Sequence, residues 1–231
     1  MNRNSQRPIA RAIAQDSRKY WLAAGVLAAG LVITAGTARA ESVFSTAAGP
    51  TTAQAHLDFQ VVIPRFLFLQ VGTGSPLATN PAIDLIKYSV PAANVGDGTV
   101  ISATSGGDIS AGVVTAKVIG NNFTGGAVNF TATTTGALSD GAGDTISYGQ
   151  FTVTVATLTS GTALPHPGTA AAPFIDGGAT TVSLTPAAKV INQDAKWTFK
   201  YSNTVVPAAG TYGSTGTGNN AGRVTYAVTM P

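Results

Sequence analysis

The chain of 231 residues contains no cysteine. It therefore has no disulfide, no thiol nucleophile and no thiolate ligand for a metal ion. Charged residues are also scarce, at 10% of the sequence, and the only glutamate is Glu41. Few residues suit the surface of a long helix, whereas threonine, valine and glycine are frequent. This composition favours strands joined by glycine-marked turns.

The N-terminal region has the order of a secretory signal peptide. Residues 1–20 are basic, with Asp16 as their single acid, and Trp21–Gly36 is apolar. A small-x-small cleavage site ends at Ala40. The apolar run is shorter than the roughly 20 residues that a membrane span requires. We expect residues 1–40 to direct Sec-type export to the cell surface or medium, with no membrane span after processing.

Removal of this leader changes the charge of the chain. The full sequence has a formal net charge of +3, but residues 1–40 hold six of its 13 basic residues and one of its ten acids. Residues 41–231 keep seven bases and nine acids, so their net charge is −2. No basic patch remains for a nucleic acid, and we expect no nucleic-acid partner.

Two tandem strands are predicted in Ala55–Gly72. In the first part Leu57, Phe59, Val61 and Ile63 share one face, while His56, Asp58 and Gln60 point the other way. This period of two is typical of a half-buried strand. Pro64 and Arg65 interrupt the pattern, since proline cannot donate to a ladder. Phe66–Val71 is almost wholly apolar, as in a strand buried on both faces.

The rest of the chain predicts an all-β fold, an antiparallel β-sandwich in a single domain over residues 55–231, after a flexible lead over residues 41–54. Alternation predicts that Trp197, Phe199 and Tyr201 form the core face of one strand. It also predicts a last strand whose apolar residues are Val224, Tyr226, Val228 and Met230. Further strands are predicted over Ile83–Val90, Val100–Thr104, Val113–Ile119, Ala127–Thr133, Ile146–Leu158 and Thr180–Leu184, and one helical turn within Pro186–Asp194.

Candidates for catalysis or metal binding are few. His56 and His166 are the only histidines, and no Gly-x-Ser-x-Gly elbow accompanies them, so we interpret both as surface residues and the protein as no enzyme. Asp140 and Asp144 enclose Gly-Ala-Gly, which indicates a turn and, as the alternative, a calcium site. No cofactor-binding fingerprint is present.

The strand over residues 57–63 suggests a mode of assembly. Exposed strand edges recruit other chains, and an alternating N-terminal strand can complete the sheet of a neighbour. Leu57, Phe59, Val61 and Ile63 would then be the subunit-interaction residues. The sequence leaves open whether this strand pairs within its own subunit or with the next one.

The order of leader, small polar segment, alternating strand and core strand resembles that of chaperone–usher pilins and related fimbrial subunits. Gly222–Pro231 resembles the last strand of a pilin. The resemblance implies an immunoglobulin-like sandwich and a structural subunit of an extracellular filament or fimbria-like polymer, with copies of itself, a periplasmic chaperone and an outer-membrane usher as partners. Many pilins have a cysteine pair and a penultimate tyrosine; this chain has neither, so unaided polymerisation stays open.

A second hypothesis is a secreted, monomeric β-sandwich that binds carbohydrate or acts as an adhesin. Tyrosine and tryptophan side chains are common at sugar- and protein-binding surfaces. The candidate contacts are Trp197, Tyr201, Tyr148 and Tyr212.

Overall fold

The computed structural model describes residues 42–121, 123, 127–215 and 222–230. The chain divides into two compact units, Met1–Val62 and Ile63–Pro231. Residues 42–62 are exposed and contain no helix or strand. The predicted signal peptide, residues 1–40, lies outside the described residues.

The described residues of the second unit form ten strands and two short 3₁₀ helices. The strands are β1 Leu67–Val71, β2 Ile101–Ser102, β3 Val113–Gly120, β4 Val128–Thr134, β5 Leu138–Ser139, β6 Thr145–Ile146, β7 Phe151–Thr157, β8 Ala179–Leu184, β9 Ile191–Tyr201 and β10 Val224–Thr229. The 3₁₀ helices are Ala92–Asn94 and Tyr148–Gln150. Every pair of these strands is antiparallel.

The larger sheet is built around β9. β3 and the short β2 pair with one edge of β9 and β7 pairs with the other, while β1 pairs with β3. The smaller sheet has the order β10–β4–β8, and β5 and β6 form a separate hairpin. Among the described strands, β1 and β10 each pair with one strand only, so each has one open edge.

The core lies between the two sheets, which makes the fold an all-β antiparallel sandwich. Phe130 of β4 stacks on Trp197 of β9 with ring centroids 5.9 Å apart, and both side chains are fully buried. Tyr226 of β10 packs against the same tryptophan at 5.5 Å. The fold class predicted from the sequence is confirmed.

Alternation placed the core faces correctly. Trp197, Phe199 and Tyr201 are all buried, as predicted, and the Nε1–H of Trp197 donates to the Leu164 carbonyl at 3.0 Å. In β10 the predicted apolar residues are half-buried and packed against the core, whereas Thr225, Ala227 and Thr229 between them are exposed; the packed residues are Val224, Tyr226, Val228 and Met230.

The strand predicted over Ile83–Val90 is wrong. Only Lys87 forms a bridge, with Ser105, although Ile86, Tyr88 and Val90 do point towards the core. The partner segment turns away at once, because Gly106 has φ of +87°. A side chain at Gly106 would collide with the Leu85 carbonyl oxygen, 2.1 Å from its Cβ position.

The helical turn predicted within Pro186–Asp194 is also wrong. Ala187 and Val190 exchange two backbone hydrogen bonds of 2.9 Å, and the residues between them have positive φ, +48° at Ala188 and +67° at Lys189. Positive φ at both central residues is the geometry of a tight hairpin turn. β9 therefore begins at Ile191, earlier than the sequence suggests.

Two other predictions are corrected in part. The strand predicted over Ile146–Leu158 is divided into β6, the 3₁₀ helix Tyr148–Gln150 and β7. The strand predicted over residues 57–63 has no ladder partner among the described residues, so its pairing stays a prediction.

Candidate functional site

The predicted donor segment, Leu57–Ile63, is the most exposed apolar stretch near the start of the described chain. Leu57 is 66% exposed, Phe59 86%, Val61 81% and Ile63 74%. Isolated exposed apolar residues are common on protein surfaces, but four at a spacing of two require an explanation.

The joint that follows this segment is held by Asn121, directly after β3. The Asn121 side chain donates to the Pro64 carbonyl at 2.9 Å and accepts the N–H of Phe66 at 2.9 Å. Its own N–H donates to the Phe66 carbonyl at 3.2 Å. Arg65 Nε contacts Met230 Sδ, beyond the end of β10. The start of β1 is thus fixed to β3, and it lies beside the last strand.

A large cleft opens in the unit Ile63–Pro231. Its volume is about 1180 Å³. One wall is residues 82–90, and another is residues 222–226 at the start of β10. Aromatic side chains line much of the interior, among them Tyr88, Tyr148, Phe151, Phe174, Phe199 and Tyr201. Phe199 and Tyr201, which alternation predicted to be core residues, therefore also line the cleft.

Both walls of the cleft carry backbone that is hydrogen-bonded on one side. Lys87 is bonded to the neighbouring segment through Lys87 N to Ser105 O at 3.0 Å and Thr104 N to Lys87 O at 2.8 Å. β10 is bonded to β4. The other edge of β10 has no strand partner in the described part of the chain, and a strand edge of this kind can pair with an extended peptide.

Three polar groups that line the cleft are buried without a hydrogen-bond partner among the described residues. They are the hydroxyls of Tyr88 and Tyr148 and the Nε of Arg223. Tyr148 is only 4% exposed. Burial, and to a smaller extent the nearby Asp176 carboxylate, raises the pKa of Tyr148 to about 12. Burial also raises the pKa of Tyr88, and by more. Such groups are costly to leave unpaired.

His166 is buried, and its prediction as a surface residue is wrong; His56 is exposed. The Nδ1 of His166 accepts the N–H of Gly168 at 3.1 Å, so Nε2 carries the proton and donates to the Tyr226 hydroxyl at 3.0 Å. The ring lies 4.7 Å from that of Trp197. Burial lowers the pKa of His166 to about 4. The imidazole is therefore neutral at pH 7 and holds its loop against β10.

Asp140 and Asp144 lie at the β5–β6 turn. The Oδ1 of Asp140 accepts three backbone N–H groups of that turn, from Ala142, Gly143 and Asp144, at 2.8, 3.1 and 3.0 Å. These bonds, from Ala142 first, lower the pKa of Asp140. The carboxylate thus stabilises the turn itself. Within the described ranges no group of three or more His, Cys, Asp or Glu side chains could hold a metal ion.

Asp194 was not singled out from the sequence. It is 1% exposed, and its carboxylate accepts the N–H groups of Thr159 at 2.9 Å and Ser160 at 2.7 Å, and the Thr159 hydroxyl. Lys117 Nζ lies 3.8 Å away. Burial alone would raise the pKa of Asp194, but these hydrogen bonds lower it well below its usual range. Alternation along β9 places Asp194 on the outward face, so the sequence pattern did not indicate that its side chain is buried.

The aromatic contacts proposed for a carbohydrate binder do not form an exposed platform. Trp197, Tyr201 and Tyr148 are buried at 0, 5 and 4% exposure, and Tyr148, Tyr201 and the half-buried Tyr212 line the cleft.

Comparison of the chain with protein-family models, with curated proteins and with solved structures found no match. In the described ranges no helix has the length and apolar character needed to cross a bilayer.

Proposed function

We propose that this protein is a structural subunit of an extracellular filament and that each copy donates Leu57–Ile63 to the cleft of the next. The proposal is supported by one observation above all. The same chain carries an exposed apolar segment at strand spacing that has no strand partner among the described residues. It also carries a cleft lined by aromatic rings and by β10, one edge of which has no strand partner in the described ranges.

Burial of the four apolar side chains would drive the association of one subunit with the next. Fully burying one such side chain contributes roughly 1.5–3 kcal/mol, so burial of all four would contribute roughly 6–12 kcal/mol. Part of this is offset by the translational and side-chain freedom lost on association. The remaining free energy would be sufficient for stable contacts between neighbouring subunits, since each subunit in the polymer makes two such contacts.

Polar groups add specificity to this burial. The main chain of an incoming strand would pair with the open edge of β10, as in recognition by added strands. Its carbonyl groups would accept hydrogen bonds from the hydroxyls of Tyr88 and Tyr148, which have no hydrogen-bond partner in the described part of the subunit. Filling the cleft would then remove the cost of two buried unpaired groups.

The same proposal covers export and assembly. Residues 1–40 would act as a Sec-type signal peptide. The subunits, each an immunoglobulin-like sandwich, would assemble at the cell surface into a fimbria-like homopolymer. Since the chain has no cysteine, subunit contacts would depend on strand pairing and apolar burial. A chaperone and usher could protect the segment and the cleft before assembly, or polymerisation could proceed unaided.

The test uses the purified exported protein, examined by negative-stain microscopy and by heat-resistant ladders on denaturing gels. The wild type should form filaments, and the double variant Phe59→Asp, Val61→Asp should stay monomeric with unchanged thermal unfolding. Phe44→Asp is the matched control, because Phe44 is also aromatic and 91% exposed but lies outside the donor segment. Filaments of normal stability in the double variant would refute the proposal.

The binding-module hypothesis gives a different result in the same experiment. It predicts a wild-type protein that stays monomeric at high concentration and binds a glycan. Tyr148, Tyr201 and Tyr212 in the cleft would then be its contacts, and substitution of Tyr212 by alanine should weaken glycan binding.

A further inference from the structure

The joint that precedes β1, residues 64–66, lies at the opposite end of that strand from the cleft. The joint is fixed to the end of β3 by Asn121, whose side chain donates to the Pro64 carbonyl and accepts the N–H of Phe66, both at 2.9 Å. Within β1, Val71 at the far end lines the cleft, whereas the residues before it do not. The donor segment therefore leaves its subunit at the end away from the cleft.

The last strand shows the same arrangement. Arg65, in the joint, contacts the Sδ of Met230 beyond the end of β10. The cleft is lined by β10 from its start only as far as Tyr226. Strand residues rise about 3.3 Å each, so Met230 lies roughly 13 Å from Tyr226 and Phe66 roughly 17 Å from Val71. The near edge of the cleft is thus about 13–17 Å from the joint.

The reach of the donor segment is limited by its length. A fully extended chain spans at most about 3.3–3.6 Å per residue. Measured from the fixed Pro64, this allows about 4 Å for Ile63 and about 11 Å for Val61. It allows about 18 Å for Phe59 and about 25 Å for Leu57. Ile63 and Val61 therefore fall short of the cleft of their own subunit, and Phe59 reaches only its edge.

We propose that the short joint prevents a subunit from filling its own cleft, so that the donor segment requires a second copy of the chain as its partner. This inference rests on the proposed function. In a self-paired subunit the residues nearest the joint would stay exposed, whereas all four apolar residues can enter the cleft of another copy, because that copy can be placed freely. The contact joins two different surfaces, and a contact of this kind repeats from copy to copy.

The length of the joint matters because a tethered strand otherwise has a large advantage over a free one. A segment joined to its own binding site by a flexible linker of suitable length has an effective concentration in the millimolar range. Other subunits at about 10 μM would compete with it at a disadvantage of roughly 100-fold. A joint able to span the distance to the cleft would therefore give closed monomers instead of filaments.

Lengthening the joint tests the inference. An insertion of about 12 glycine and serine residues between Ile63 and Pro64 leaves the hydrogen bonds of Asn121 in place and adds a span of roughly 19 Å. At about 10 μM, this variant should place at least about tenfold less protein in heat-resistant ladders than the wild type. The same insertion between Gly49 and Pro50 is the matched control. It lies ahead of the donor segment and leaves the joint unchanged, so filaments should form normally.

Peptide binding shows whether the lengthened variant has closed on itself or has only failed to assemble. A labelled peptide of residues 55–63 should bind it at least about tenfold more weakly than it binds the monomeric double variant Phe59→Asp, Val61→Asp, whose cleft should stay empty. Making the same two substitutions in the lengthened chain should restore peptide binding. A lengthened variant that polymerises like the wild type, or that stays monomeric and binds the peptide fully, would overturn the inference.

The two proposals fail in different ways. Filaments that survive Phe59→Asp, Val61→Asp refute strand donation itself. Filaments that require Phe59 and Val61 but persist after the joint is lengthened leave strand donation in place and refute only the role of the short joint.

Discussion

The Nε2 of His166 lies 3.0 Å from the hydroxyl of Tyr226 and joins an internal loop to the last strand, β10. Both side chains pack on Trp197, with ring centroids 4.7 and 5.5 Å from it. Since Tyr226 also lines the cleft, the position of the cleft wall depends on a histidine buried far from it in sequence.

The first prediction concerns pH. The pKa of His166 is about 4 in the folded protein, below the value of about 6.5 in an unfolded chain. The unfolded state therefore binds the proton first. Stability contributed by the neutral imidazole is complete above about pH 6.5 and is lost as the pH falls towards 4, by up to about 3 kcal/mol.

Urea unfolding of the filament-deficient variant Phe59→Asp, Val61→Asp at pH 7, 5.5 and 4.5 measures this loss, with His166→Gln added to the same background as comparison. Glutamine does not titrate, so the decline above pH 4.5 should become much smaller. Equal pH dependence in the two proteins would contradict the assignment. Asp194 is present in both proteins, and because its pKa is lowered in the folded state, the stability it contributes is lost mainly below its unfolded pKa of about 3.9.

The second prediction separates the stability of the subunit from its capacity to bind a strand. Tyr148→Phe removes a buried hydroxyl that has no partner in the described subunit. The free energy of unfolding should stay the same or rise slightly, whereas a lost hydrogen bond would have reduced it by about 0.5–1.5 kcal/mol.

Affinity for a peptide of residues 55–63 should fall in Tyr148→Phe by about threefold to tenfold, since the bound strand would lose a hydrogen bond. Fluorescence anisotropy of a labelled peptide measures this. Tyr212→Phe serves as control, because the hydroxyl of Tyr212 already donates to the Ala208 carbonyl at 2.8 Å. Reduced stability of Tyr148→Phe with unchanged peptide affinity would show that the hydroxyl has a partner within the subunit.

The third prediction concerns Asp194. Asp194→Asn replaces a buried carboxylate that accepts the N–H groups of Thr159 and Ser160. Hydrogen bonds to charged groups contribute about 1.5–3 kcal/mol each, and the variant also leaves Lys117 without its partner at 3.8 Å. Unfolding free energy should fall by about 2–4 kcal/mol.

Hydrogen exchange locates this effect. The amides of Thr159 and Ser160 should lose protection in Asp194→Asn, while amides in the β4–β8 pair should change only with global stability. Lys117→Ala, which removes the cation but keeps the carboxylate bonds, should cost much less. A loss of protection spread evenly over both sheets would contradict a local role for Asp194.

Periodicity predicted the core of this protein because it is a local property. Trp197, Phe199 and Tyr201 are two residues apart, and a strand that pairs at all must place them on one face. The same reasoning identified the buried face of β10. It failed for Ile83–Val90, where a strand requires a continuous partner and the chain offers one only at Lys87.

The amino-acid sequence by itself determined that the fold is all-β, that it contains no disulfide, and which side chains of β9 and β10 face inwards, because these follow from composition and from spacing along the chain. Only the tertiary structure decided that His166 is buried, that Asp194 secures a loop, and that Tyr88, Tyr148 and Arg223 line one cleft. These residues are brought together by strand pairing between distant segments, and no pattern within a short stretch of sequence predicts which segments will pair.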